Sequence, residues 1–248
     1  MRLLNTASLE LSRPYVPSEV PDYAILSHRW STEEVTFADI SSAPISHPQS
    51  QTRTKKGFAK IQGACKLALN DGYNWIWIDS CCIDKSSSAE LQEAINSMWR
   101  YYVESNICYV YLADVPDSGN GWGQTFAKSE WFTRGWTLQE LIAPIRVEFF
   151  AEDWTAIGTK FERYKEISDI TSIDPDVLLR VHPVDSFSAA ERFSWASHRN
   201  VTREEDEAYS LLGLFDVNMP LLYGEGQEKA FFRLQETIYN ATADHSMF

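Results

Sequence analysis

The sequence predicts an α/β fold: an open, mainly parallel sheet with helices on both faces, followed by a helical lobe. Three observations carry this. Short continuous apolar runs stand near 23–28, 75–79, 107–112 and 146–150, the length and composition of strands buried on both sides. Amphipathic stretches of helical period separate them. The resulting alternation of strand and helix needs crossover connections, which place successive strands parallel in one sheet.

Taken in order, residues 1–22 are polar and punctuated by proline, with Leu3, Leu4, Leu9 and Leu11 as contacts for an edge strand. Tyr23-Ala24-Ile25-Leu26-Ser27-His28 is the first strand. Residues 31–56 hold Ser, Pro and Thr clusters without a period and read as a long loop. Phe58, Ile61, Cys65 and Ala68 then share one helical face, and Asn70-Asp71-Gly72 ends that helix. Trp75-Ile76-Trp77-Ile78 is a strand. Ser87-x-x-Glu90 has the pattern of a capping box and opens a helix with Leu91, Ile95, Met98 and Tyr102 on one side. The third strand is 107–112, and 116–123 is a loop with three glycines. Between a Gly hinge at Gly135 and a stop at Pro144 lies room for about two helical turns. That turn puts Trp136 and Glu140 on one face and Leu138, Leu141 and Ile142 on the other. A fourth strand follows at 146–150. After Trp154 the patterns are helical, at 161–170, at 188–196, from a Thr202-x-x-Glu205 capping box through Leu212, and around Phe231, Leu234 and Ile238. No strand is predicted there. The division is an α/β core over 1–154 and a helical lobe packed on it over 155–248.

Composition narrows the function classes. The 248 residues are 44% hydrophobic and 13% aromatic, enough for a sizeable core. The net charge is −13, and the densest basic pair is Lys55-Lys56, which argues against duplex nucleic acid or an anionic membrane as partner. No signal-peptide pattern or membrane-span run occurs. Cys65, Cys81, Cys82 and Cys108 all fall in or beside predicted elements, the pattern of reduced thiols in a cytoplasmic protein. Their spacing fits no zinc set, so no metal is expected. Neither a G-x-G-x-x-G fingerprint nor a P-loop occurs.

In open parallel sheets ligands gather beyond the carboxyl ends of the strands. Those ends carry Ser27-His28-Arg29-Trp30, then Asp79-Ser80-Cys81-Cys82-Ile83-Asp84, then Asp114, and the Trp136–Glu140 turn joins them. Ser27 and His28 are adjacent on a strand and point to opposite faces, so they form no dyad. His28 alone reads as a hydrogen-bonded structural histidine. Arg29 suits either a phosphate or an ion pair with Asp79. Asp79 and Asp84 are either a carboxylate pair or two caps. Trp75, Trp77 and Trp99 read as core, whereas Trp30 and Trp136 stand at element ends, where a flat ring can stack on them.

Three motifs in order, Tyr23-Ala24-Ile25-Leu26-Ser27-His28-Arg29-Trp30, Trp77-Ile78-Asp79-Ser80-Cys81-Cys82-Ile83-Asp84-Lys85 and Arg134-Gly135-Trp136-Thr137-Leu138-Gln139-Glu140-Leu141-Ile142-Ala143-Pro144, resemble the fungal heterokaryon incompatibility (HET) domain. The opening Met1-Arg2-Leu3-Leu4-Asn5-Thr6 and the later Met219-Pro220-Leu221-Leu222-Tyr223-Gly224-Glu225-Gly226 resemble its form at the N-terminus of NOD-like receptor proteins. Ser31 departs from the Gly that many members carry. The resemblance implies a cell-death effector of non-self recognition, with self-association on activation and receptor sensor regions or a partner chain as partners. More distantly the chain resembles TIR domains, which have a flavodoxin-like sheet and cleave NAD⁺ with a Glu in a W-x-x-x-E helix. That likeness implies Glu140 as the catalytic carboxylate and Ser27, His28, Arg29, Trp30, Asp79 and Trp136 as substrate contacts. NAD⁺ would be substrate, with no cofactor. The rival is a non-enzymatic signalling module that recruits a death-executing partner.

Overall fold

The strand Ala24–His28 is buried along its whole length and lies at the centre of the sheet. The computed structural model describes residues 1–42, 51–116 and 122–246. Six strands, β1 (Leu4–Asn5), β2 (Ala24–His28), β3 (Trp75–Ile78), β4 (Ile107–Tyr111), β5 (Val147–Phe150) and β6 (Ala156–Thr159), run in the order β1-β3-β2-β4-β5-β6. The middle four are parallel, and they are the four strands predicted from sequence. Each edge is closed by an antiparallel strand. On one side Leu4 pairs with Ile76 and bridges to Leu11, as the leucines of the N-terminal segment suggest. On the other, β6 pairs with β5 through an irregularity at Phe149/Phe150. This strand corrects the expectation that nothing after Trp154 is extended. Its one large apolar residue, Ile157, gives no run to read.

The helices follow from capping and burial. Within the expected loop at 31–56 the chain forms α1 (Phe37–Ser42) and a 3₁₀ turn at Gln51–Thr54. Here α1 buries only Ile40, too little for a period. Next, α2 (Lys56–Asn70) buries Phe58, Ile61, Cys65 and Ala68 and ends where Gly72 takes φ +89°. A single turn, α3 (Asp79–Cys82), follows β3 directly. Before α4 (Ser88–Glu104), Ser87 accepts the Glu90 amide. Glu90 reaches instead to the Asp84 amide and to Arg2, so only half of the expected box forms. The glycine loop expected at 116–123 lies mostly outside the described residues. Then come α5 (Gly123–Ala127), a 3₁₀ turn at Glu130–Thr133 and α6 (Thr137–Ile142).

Beyond β6 the described chain is helical: α7 (Tyr164–Thr171), α8 (Pro175–Leu178), α9 (Ala189–Ser194), α10 (Asp206–Tyr209) and α11 (Gln227–Thr242). Ser188 and Glu191 form a complete capping box on α9. Thr202 and Glu205 do not. Glu205 Oε1 accepts the amides of Gly224 and Gly226, both at positive φ, so its carboxylate fills a backbone nest. The helix there closes at Tyr209, short of Leu212. One continuous set of buried side chains reaches from Leu3 through the sheet to Ile238.

Gly135 is required by closeness, not by a hinge. Its amide donates to Asn200 O at 2.9 Å, and a Cβ on it would stand 2.6 Å from Val201 Cγ1. Gly135→Ala should therefore cost about 1–3 kcal/mol of stability in urea denaturation, the usual scale of overpacking. An unchanged midpoint would show that the 200–201 segment does not pack against this turn.

Candidate functional site

The parallel strands, numbered among themselves, take the order 2-1-3-4, with the switch point between β2 and β4. In doubly wound sheets that gap, at the carboxyl ends, is the binding crevice. Ser27 of β2 lies there, and α6 delivers Glu140 to it. Ser27 Oγ donates to Glu140 Oε2 at 2.5 Å and accepts the Trp131 indole N–H at 2.8 Å. The Tyr102 hydroxyl donates to Leu26 O at 3.4 Å and acts on the carboxyl from close by.

Several side chains fix this turn. Thr137 Oγ1 donates to Trp131 O and Arg134 O at 2.6 and 2.8 Å. Arg199 Nη1 donates to Arg134 O and Thr137 Oγ1. At the other end Lys160 Nζ donates to Leu141 O at 3.0 Å and Pro144 O at 2.7 Å, satisfying carbonyls that a helix end leaves unpaired. Burial pulls the Lys160 ammonium down to about 7, with Arg180 acting the same way. Leu138, Leu141 and Ile142 are buried, as expected of the anchoring side.

Glu140 is only 8% exposed. Burial pushes its carboxyl up to about 8, against the pull of the Ser27 hydrogen bond and the nearby Tyr102 hydroxyl. At neutral pH it is a protonated acid.

A second group sits across β2. His28 is buried with Nε2 at 3.7 Å from Asp79 Oδ1 and 3.8 Å from Glu34 Oε2, and neither ring nitrogen has a hydrogen-bond partner. Burial holds the imidazole down at about 4, so it is neutral. Glu34 is tied to Lys60 at 2.6 Å. Asp79 accepts the Trp30 indole N–H at 2.8 Å and lies 3.4 Å from Lys85 Nζ, and that ammonium stands 3.5 Å above the Trp30 ring. Burial pushes Asp79 up, but Lys85, the Trp30 N–H and Lys60 outweigh it and hold it low. Trp30 is 46% exposed, the open aromatic face of the group.

Of the residues expected at the site, Ser27 and Glu140 meet directly, and His28, Trp30 and Asp79 form the neighbouring group. Arg29 pairs with Glu130, not with Asp79. Trp136 does not join Glu140. It stands at the cap before α6, where its indole turns away and donates to Asp206 Oδ2 at 3.2 Å. Asp84 caps its own turn through Ser86 and forms no pair with Asp79. Trp77 is core, and Trp75 and Trp99 pack against it. All four cysteines are free and buried. Sequence reasoning missed Trp131, which lies in a 3₁₀ turn where no period operates, and the Tyr102 hydroxyl, whose residue it placed on a buried helix face.

Residues 23–120 match the family model described as heterokaryon incompatibility protein (HET). Across 96% of its length the chain is 47% identical to the vegetative incompatibility protein HET-E-1 of Podospora anserina. The chain carries a HET domain. It spans 18% of that relative's own length. No solved structure matches it. The family match contains β2, β3, β4 and the His28–Trp30–Asp79 group, while α6 of this HET domain lies in the stretch covered by the relative. Among the described residues no helix is long and apolar enough to cross a membrane.

The Glu140 acid sets a sign for stability against pH. Its folded value, about 8, lies above the unfolded 4.5, so the folded state holds the extra proton between them. Stability from this group is therefore lost as pH rises from about 4.5 to about 8, with a slope of up to about 1.4 kcal/mol per pH unit. His28, lowered from 6.5 to about 4, contributes the opposite slope between those values. Urea denaturation across this range should show the Glu140 decline in the wild type and not in Glu140→Gln, with the His28 slope common to both. Parallel curves for the two proteins would mean that Glu140 is ionised in the fold.

Proposed function

We propose that the chain is a cell-death effector domain of fungal non-self recognition, acting by cleavage of the nicotinamide–ribose bond of NAD⁺. The first part is supported by the likeness to a vegetative incompatibility protein over nearly the whole chain. The second rests on one observation: a carboxyl held in the switch-point crevice by a hydroxyl that a ribose hydroxyl can replace. In this reading NAD⁺ enters over the ends of β2 and β4. The exposed Trp30 offers a ring face. Arg29, released from Glu130, meets the pyrophosphate. As NAD⁺ binds, Glu140 releases its proton to solvent, exchanges the Ser27 hydroxyl for the ribose hydroxyls and stabilises the positive charge that develops on the sugar, and it takes up a proton again when the products leave. Water attacks C1′ and nicotinamide leaves as a neutral base, so the products are ADP-ribose, nicotinamide and a proton, with no cofactor. The closed state described here is the resting one, and self-association, driven by receptor sensor regions or a partner chain, opens the crevice in a cytoplasmic setting.

The burial of Glu140 favours a second reading. There the acid is a strut that clamps α6 to β2, and the domain signals without chemistry by recruiting a partner. Glu140→Gln separates the two. The amide matches a protonated acid in size and keeps a donor and an acceptor, so the variant should melt near the wild type at neutral pH. Nicotinamide release from clustered protein should fall by roughly 10²-fold or more, the scale of losing one preorganised electrostatic group, and cell killing should fall with it. A well-folded variant that kills as the wild type does removes the catalytic role.

A further inference from the structure

A cavity of about 890 Å³ lies behind α6 among the helices of the C-terminal part. It is far larger than one water requires and within the range of small-molecule sites. Its walls include Trp99, Phe187, Leu214 and Phe215, with Ile142 and Ala143 at the end of α6. Arg192 is built into it. This arginine is 5% exposed. It stacks over the Phe215 ring at 4.5 Å, and Nη1 donates to Leu214 O at 3.1 Å. Among the described residues its buried Nε–H has no partner and no carboxylate forms an ion pair with it. Burying a cation without a counter-ion is costly, and proteins ordinarily compensate it with an anion.

The acids near the cavity do not supply that anion. Asp185 and Asp244 act on Arg192 only through space. Asp244 already accepts the amides of Ala189 at 2.7 Å and Ser246 at 2.8 Å. Asp216 and Asp185 are exposed at the edge. A second cation, Arg180, lines the same space and uses Nη1 on Ala143 O at 3.0 Å, at the foot of the helix that carries Glu140. His182 also lines it and faces Asp176 at 3.6 Å.

We propose that this cavity is a binding site for a small organic anion with an aromatic or branched apolar body, whose carboxylate or phosphate meets Arg192 and whose body fills the wall of Trp99, Phe187 and Leu214. The Arg192 guanidinium, which lines the space, supplies the charge that such an anion engages. The apolar walls supply the remainder of the affinity. Because Arg180 and Ala143 share the space, occupancy bears on the end of α6, away from the crevice at β2 and β4.

The test needs no activity and stands apart from the NAD⁺ reading. Calorimetric titration and thermal shift are run with 4-phenylbutyrate and phenyl phosphate at millimolar concentration, beside uncharged 4-phenylbutyramide and inorganic phosphate. At least one aryl anion should bind and raise the melting temperature, the amide should bind at least roughly tenfold more weakly, and inorganic phosphate should do little. Arg192→Gln should lose the preference for acid over amide. Since that variant also removes a buried hydrogen bond, Ala241→Trp, which fills the space from an exposed position on α11 and leaves Arg192 intact, should abolish binding in a protein that still melts cooperatively. Absence of binding by both aryl anions, equal binding of the amide, or undiminished binding to a folded Ala241→Trp protein each overturns the proposal.

Discussion

The hydrogen bond from Ser27 to Glu140 is the contact on which the rest of the arrangement depends. It joins the central strand to a six-residue helix too short to persist by itself. Its geometry asks for a hydroxyl at the carboxyl end of β2, a donor behind that hydroxyl and a closed environment. Trp131 is the donor. The closed environment makes the acid neutral, because an ionised carboxylate with two hydroxyls near it would not offset its loss of water.

The residues beyond 154 serve that helix directly. Lys160 covers the carbonyls of Leu141 and Pro144, Arg180 that of Ala143 and Arg199 that of Arg134. Trp136 is drawn to Asp206. Three cations on main-chain oxygens and one indole thus hold both ends of α6 from the C-terminal part. The acids of the neighbouring group are paired, Glu34 with Lys60 and Asp79 with Lys85, and burial leaves His28 beside them uncharged. A chain of net charge −13 can in this way place an acid in its interior.

Much of the fold was legible because the parallel strands are buried on both faces. Runs such as Trp75-Ile76-Trp77-Ile78 have only one reading between capped helices. The edge strand β6 was not, since an antiparallel edge with Gly158 and one large apolar residue carries no periodic signal. Glu205 shows a different limit: the spacing Thr202-x-x-Glu205 fits a cap, but two distant glycine amides compete for the same oxygen and win. At the candidate site, Ser27, His28 and Asp79 could be brought together from the strand ends, because topology alone carries polar ends to one edge. The partner of Glu140 could not be read from spacing. The four-residue rule that joins Trp136 to Glu140 holds inside a helix, and Trp136 is the cap, while Trp131 approaches through a tertiary fold of the chain.

The central claim, that Glu140 is a buried, protonated acid held by Ser27, is tested most directly by infrared difference spectroscopy of wild type against Glu140→Gln. The account predicts a protonated-carboxyl C=O band at neutral pH that is absent in the variant, titrates away near pH 8 and shifts in frequency in Ser27→Ala. A wild-type spectrum with no such band at neutral pH, and the corresponding carboxylate band in its place, would contradict it.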